Sequence, residues 1–247
     1  MAKNHLPLHI RRVTFGTDGW RGVLGVDFTL ERLLPVAVAS AQELSYRAPL
    51  GNKSKKILIG YDRRFLALEM AEAICSAVRG CELEPLLTDS AVPTPACSFA
   101  VVNHKALGAL VITASHNPPE WLGLKIKGPL GGSVESGFTK AVENRLLAGG
   151  ITVPLEASNK IFPCREEHLS FLKNKFDIPA IVNGLRFLGI NLIVDPMHGS
   201  AAKCISDLLG PESNDILKEI NANRDTLFGG NPPEPLSRNI KELIDEV

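Results

Sequence analysis

Residues 113–119 read Thr-Ala-Ser-His-Asn-Pro-Pro and follow the apolar run Ala109-Leu110-Val111-Ile112. A serine, a histidine and an asparagine therefore stand in a row at the end of a strand-like segment. In open α/β sheets that is where ligands sit, and a serine hydroxyl displayed there can serve group transfer. Pro118 and Pro119 fix φ and remove backbone donors, so the loop carrying Ser115, His116 and Asn117 is stiff. An ordinary polar Ser/Asn turn accounts for the same residues equally well. A short apolar run follows, with lysines at 125 and 127. A second group, Phe-Gly-Thr-Asp-Gly-Trp-Arg-Gly at 15–22, surrounds Arg21 with glycines that permit tight backbone. A guanidinium is a planar donor fork suited to phosphate oxygens. Taken alone, this second group reads as a surface turn with a structural Asp18–Arg21 pair.

Other chemistries lack their signatures. There is no G-x-x-x-x-G-K-[ST], no G-x-G-x-x-G after a strand, no G-x-S-x-G and no H-E-x-x-H. Asp195 and His198, in Val-Asp-Pro-Met-His-Gly, are isolated and read as structural. The five cysteines (75, 81, 97, 164 and 204) are scattered, odd in number and free of any C-x-x-C. That argues against a disulfide framework or a zinc site and suits reduced thiols in a cytosol. Cys75 and Cys204 fall in helix-like segments and are expected in the core.

The 247 residues suffice for one large or two smaller domains, with 45% hydrophobic and 22% charged residues, an ordinary globular composition. Lys plus Arg equals Asp plus Glu at 27 each. No long-range field therefore steers the protein toward nucleic acid or an anionic membrane, and neither is expected as a partner. The longest apolar run, around 33–41, is broken by Pro35 and Ser40 and is too short to span a bilayer. The N-terminal MAKNHLPLHIRR has no secretory apolar core, so a cytoplasmic location is expected.

The elements that must position these residues follow an alternating rhythm. Leu30, Leu33, Leu34, Val38, Ala41 and Leu44 recur at helical spacing over 30–47. A buried strand is expected over 56–62, a helix over 65–79 stopped by Gly80, and a strand over 82–88. A Pro-rich turn at 92–96 leads into a helix, and the strand 107–113 then delivers Ser115. A strand near 124–127 and a helix near 135–148 complete the unit. Residues 149–160 are small, polar and punctuated, a linker in character. Beyond lie a helix around 165–176, a strand 190–194 followed by Asp195, a turn at 196–201, a helix 201–209 and a helix 237–247. Alternating strands and helices point to layered α/β architecture with a largely parallel sheet.

Taken together, the Phe-Gly-Thr-Asp-Gly-Trp-Arg-Gly group, Leu-Ile-Gly-Tyr-Asp-Arg-Arg at 58–64, the Thr-Ala-Ser-His-Asn-Pro loop with its later Leu-Lys-Ile-Lys, and Val-Asp-Pro-Met-His-Gly-Ser-Ala at 194–201 resemble the α-D-phosphohexomutase superfamily, the phosphoglucomutases and phosphomannomutases. The resemblance covers nearly the whole chain. It implies α/β/α layers with mixed, mostly parallel sheets: domain I over 1–150, carrying the phosphoserine loop, and an incomplete domain II over 151–247. Ser115 would be the phosphoserine, flanked by His116 and Asn117, with Thr113 supporting the phosphate loop. Lys125 would assist proton transfer at the reacting sugar hydroxyl, and Arg21 would stabilise charge beside the phosphoserine.

The implied activity is interconversion of hexose 1-phosphate and hexose 6-phosphate, of glucose or mannose, through a hexose 1,6-bisphosphate and with Mg²⁺. Ser115 would bind the metal through its phosphate. The family's aspartate loop, D-G-D-G-D-R, does not occur in these residues, so the chain is expected to represent an N-terminal portion that is inactive alone. Leu122 departs from the asparagine usual before Gly123. Phosphoglucosamine mutase is the neighbouring alternative, against which Thr-Ala-Ser-His-Asn-Pro, rather than Ser-Ala-Ser-His-Asn-Pro, favours a hexose enzyme. A non-catalytic paralogue that binds sugar phosphate or a partner is the alternative from another class.

Overall fold

The computed structural model describes residues 12–17, 19–157 and 160–247. Asp18, with its expected pairing to Arg21, the start of the N-terminal segment and part of the 149–160 linker lie outside the described residues. Six strands form one mixed sheet: β1 (Trp20–Val23), β2 (Lys56–Tyr61), β3 (Glu84–Thr88), β4 (Gly108–Ile112), β5 (Trp121–Lys127) and β6 (Ile161–Phe162). Their order is β1-β5-β4-β2-β3-β6. The pairs β2–β3, β2–β4 and β3–β6 are parallel, while β4–β5 and β1–β5 are antiparallel.

Helices cover both faces, which is why β2 and β4 read as continuous apolar runs rather than alternating ones. Ile57, Ile59, Leu110 and Ile112 point into one core with α1 (Leu30–Tyr46), α2 (Ala67–Gly80) and α4 (Ser136–Ala148). The intervening Leu58, Ala109 and Val111 point into the other, with α3 (Thr94–Asn103) and the start of α5 (Cys164–Lys175). Cys97 of α3 comes so close to β2 that a Cβ on Gly60 would lie 2.4 Å from its Sγ. On the first face, Glu43 of α1 is buried between two guanidinium groups, accepting from Arg47 at 2.7 Å and from Arg145 of α4 at 2.8 Å. Burial pushes its carboxyl up, but the hydrogen bonds and charges of Arg47 and Arg145 prevail and leave it below the usual carboxylate range.

The remaining elements are α6 (Ile178–Phe187), β7 (Leu192–Val194), α7 (Cys204–Leu209), β8 (Leu217–Glu219) and α8 (Lys241–Asp245). β7 and β8 pair in parallel over a small core of Val182, Leu209 and Ile216. Several expectations are corrected. The helix expected over 201–209 begins only at Cys204, because Lys203 takes a left-handed φ of 63°. The helix expected over 237–247 shrinks to Lys241–Asp245. Cys204 is half-buried rather than core, whereas Cys75 is fully buried and its thiol is pushed up to about 12 by burial, with a smaller contribution from Glu72. Leu30 opens α1 exposed, while Leu33, Val38, Ala41 and Leu44 are buried as expected. Among the described residues no helix is long and apolar enough to cross a membrane.

Two outcomes follow from this packing. Gly60→Ala should lower stability by about 1–3 kcal/mol through overpacking against Cys97, read as a lower thermal midpoint, and an unchanged midpoint would contradict the close approach. Phe176, Phe187 and Leu188, on or beside α6, are exposed. Exposed apolar surface promotes association, so light scattering should report a mass above the 26.7 kDa of one chain, and a monomer mass would count against it.

Candidate functional site

The parallel pairing of β2 with β4 puts their carboxyl ends side by side, so Asp62 and Arg63 emerge next to Thr113 and Ser115. These four residues line a cavity of about 240 Å³ together with Lys125, the start of α3 at Pro93–Pro95, and residues of the turn after β7 (Pro196, Gly199, Ser200 and Ala201). Lys125 reaches it because Leu124 and Ile126 on either side enter the opposite core, which turns position 125 toward the α3 face. Lys125 is buried and pairs in register with Val111.

Ser115 sits exposed at the cavity with a φ of 58°. That is the left-handed region, which costs a side-chain-bearing residue roughly 1–2 kcal/mol. Local bonds hold it there. The Ser115 N–H donates to Thr113 Oγ1 at 3.0 Å, the Asn117 N–H to the Ala114 carbonyl at 3.1 Å, and the Thr113 N–H to the Gly123 carbonyl at 2.9 Å. Arg64, 1% exposed, inserts its guanidinium under the loop. Nη2 donates to the carbonyls of Ser115 at 2.8 Å and Asn117 at 2.6 Å, and Nη1 to those of Pro118 at 2.8 Å and Trp121 at 3.2 Å. Asp62 lies beside it, with Oδ2 3.3 Å from Arg64 Nε and Oδ1 accepting the Arg64 N–H at 2.9 Å. Burial raises the Asp62 carboxyl above its ordinary range, and Arg64 and the Thr113 hydroxyl offset only part of this. Burial likewise lowers the Arg64 guanidinium.

Arg21 arrives from β1 by way of β5. It pairs in register with Gly123, and a Cβ there would come 2.9 Å from Arg21 Cγ and 2.8 Å from the Thr113 and Trp20 carbonyl oxygens. Glycine at 123 thus lets the arginine side chain cross the sheet, and Arg21 Nη1 donates to Asn117 Oδ1 at 2.7 Å. Of the residues singled out from sequence, Ser115, Lys125 and Thr113 line the cavity. Arg21 and Asn117 bond each other beside it. His116 is exposed on the loop and is not part of the lining. Leu122 is fully buried in the first core, which excludes a polar role for that position.

Asp195 accepts the Met197 N–H at 2.8 Å within its own turn, and the His198 ring meets the Asn223 carbonyl, 25 residues on, at 3.2 Å. Among the described residues no group of three or more His, Cys, Asp or Glu side chains comes together to hold a metal ion. The described residues thus offer no such cluster for the Mg²⁺ expected from the resemblance. Sequence reasoning did not single out Arg63 and Arg64. Their signal was the pair of arginines directly after a buried strand, within the Leu-Ile-Gly-Tyr-Asp-Arg-Arg motif.

Residues 12–150 match the model of the phosphoglucomutase/phosphomannomutase α/β/α domain I. The chain belongs to this family. A phosphoglucomutase/phosphomannomutase of Thermococcus kodakarensis is 28% identical over 240 residues, 94% of this chain and 50% of the relative. A phosphoglucosamine mutase of Cereibacter sphaeroides is 30% identical over 204 residues, covering 80% and 43%. The crystal structure of a Thermus thermophilus protein assigned as a phosphomannomutase superposes with a TM-score of 0.82 at 31% identity, over 96% of this chain and 52% of that one. The chain thus spans about half the length of the relatives it matches.

The left-handed backbone at Ser115 sets an expectation that separates conformation from chemistry. Ser115→Gly should raise stability by roughly 0.5–1 kcal/mol, since glycine adopts this φ without the steric penalty, less its greater freedom in the unfolded chain. Ser115→Val should be less stable than Ser115→Gly by about 1–2 kcal/mol. Equal stability of the two variants in thermal denaturation would refute the strain.

Proposed function

We propose that this chain carries the phosphoryl-donor half of a hexose-phosphate mutase, with Ser115 as the residue that gives and recovers the phosphoryl group. Support comes chiefly from one observation: a serine held in a left-handed turn at the carboxyl end of a parallel sheet, sharing its cavity with a buried lysine. Phosphoryl transfer asks a protein mainly for positioning and for charge stabilisation, and these residues offer both.

In this reading the phosphorylated Ser115 meets the free hydroxyl of a hexose monophosphate. The Ser115 Oγ–P bond breaks as the sugar O–P bond forms, Lys125 assists the departure of the hydroxyl proton, and a proton returns to Ser115 Oγ to leave the free serine. The resulting hexose 1,6-bisphosphate reorients and returns its other phosphoryl group to Ser115. The net change is interconversion of the 1- and 6-phosphates, of glucose or mannose. Arg21, held by Asn117, lies on the side of the loop where charge develops, and Thr113 fixes the Ser115 amide. Mg²⁺, when bound, would neutralise the phosphate oxygens, with the Ser115 phosphate as the donor this chain supplies. Residues 1–150 would form the donor-bearing domain and 151–247 a second one.

A second reading, phosphoglucosamine as substrate, is favoured by the 30% identity to the Cereibacter sphaeroides phosphoglucosamine mutase. Both readings share the same phosphoserine. Incubation of the full-length protein that carries this chain with glucose 1,6-bisphosphate ³²P-labelled at both positions should place label on Ser115, located by peptide mapping and abolished in Ser115→Ala. Label on another residue, or none on wild type, would sink the proposal. Competition by glucosamine 1,6-bisphosphate against the glucose compound ranks the two substrates.

A further inference from the structure

Arg64 does more than fill space beneath the reactive loop. A guanidinium removed from water loses several kcal/mol of hydration, which must be replaced by partners inside the protein. Here the replacement comes from one short stretch, the carbonyls of Ser115, Asn117, Pro118 and Trp121. The fork thus sets the curvature of the whole Ser115–Trp121 loop, within which Pro118 and Pro119 have no N–H of their own to close it. Its Nε, 3.3 Å from Asp62 Oδ2, makes no well-directed hydrogen bond, so donor geometry is satisfied toward the loop in preference to the carboxylate.

The other side of the guanidinium is closed from far along the chain. The Phe228 ring centroid lies 4.9 Å from Arg64 Cζ, and Phe228 is itself buried, with a φ of 52°. Neighbouring contacts join the same regions: Arg63 Nη1 donates to the Ala222 carbonyl at 2.8 Å and Arg224 Nη2 to the Arg64 carbonyl at 3.4 Å.

We propose that Arg64 is the positioning residue for Ser115, holding the loop in the turn that presents the hydroxyl to the cavity, and that Phe228 seals Arg64 there so that the segment after β8 helps set the serine. This rests on the phosphoryl-donor role proposed for Ser115. Lysine cannot substitute, because a single ammonium cannot span four carbonyls in the geometry of a planar fork.

The test uses the full-length protein that carries this chain, with Arg64→Lys and Phe228→Leu. Two readouts are taken, Ser115 labelling by ³²P glucose 1,6-bisphosphate and the backbone ¹³C shifts of Ser115. Misplacement of the hydroxyl should slow labelling of Arg64→Lys at saturating donor by about 10- to 100-fold, while the half-saturating donor concentration changes by less than about 3-fold. The Ser115 shifts should move from left-handed values toward averaged ones, with Phe228→Leu intermediate in both. Labelling of Arg64→Lys at the wild-type rate, or unchanged Ser115 shifts, overturns the proposal. If Arg64→Lys does not fold, Phe228→Leu decides alone, and wild-type behaviour in it overturns the coupling. If wild type takes no label, the mutase reading fails, and the Ser115 shifts judge the positioning role independently.

Discussion

Much of this molecule's functional half turns on how a buried positive charge is satisfied. Arg64 is 1% exposed, and its hydration must be replaced in full. Compare Glu43, equally out of water but held between Arg47 and Arg145 by direct hydrogen bonds. There the attraction prevails over burial, and the carboxyl settles below its ordinary range. Asp62 has a guanidinium neighbour farther off, at 3.3 Å, and burial displaces its carboxyl upward. Where the donors point adds to the difference. Arg64 directs its terminal nitrogens to loop carbonyls, leaving Asp62 an ion-pair contact through Nε without good hydrogen-bond geometry. The ion pair is weakened so that the loop can be held.

The second constraint is register. Arg21 and Asn117 lie 96 residues apart, and they meet because β5 lies between β1 and β4. Gly123 is the crossing point. It pairs with Arg21 on one side and takes the Thr113 N–H on the other, and any Cβ there would strike both backbones. The same antiparallel step that aligns Gly123 sets Lys125 opposite Val111 and turns it to the cavity face. A slip of one residue would exchange faces along β5, burying Lys125 in the first core and withdrawing it from the serine.

Much of this was legible in the residues. The long elements show in hydrophobic period, so α1, β2, α2, β3 and β4 fall within a few residues of expectation. Ser115 shows because the loop carries its own local sequence, and Thr113 and Lys125 because they stand in the motifs that carry the resemblance. What stayed hidden is what depends on distant partners or on very short elements. Trp20–Val23 is a four-residue strand whose partner lies about a hundred residues onward, and nothing in Gly-Trp-Arg-Gly announces it. β6 and β8 have two and three residues, too few for a period to register. The linker reading of 149–160 ran up to Lys160, directly before β6. Arg64 lay in plain view after a buried strand, but arginines are usually solvated, and only the loop folding over it reveals its burial. Phe228 sat in a glycine- and proline-rich stretch that gives no sign of a ring packed on a cation.

Two costly features therefore stand in contact, a left-handed serine and a buried guanidinium whose Nε has no hydrogen-bond partner. Either alone would be selected against in an ordinary turn, since local preference and burial both oppose it. Side by side each supports the other. The serine's strained backbone turns its carbonyl down to the fork, and the fork gives that carbonyl and the next ones a partner that water would otherwise supply. The proline pair stiffens the loop by fixing φ at two positions, and Phe228 packs over the cation. Left-handed φ also occurs at Leu66, Glu82 and Lys105, so it is the pairing of this strain with the buried Arg64 that sets the Ser115 loop apart.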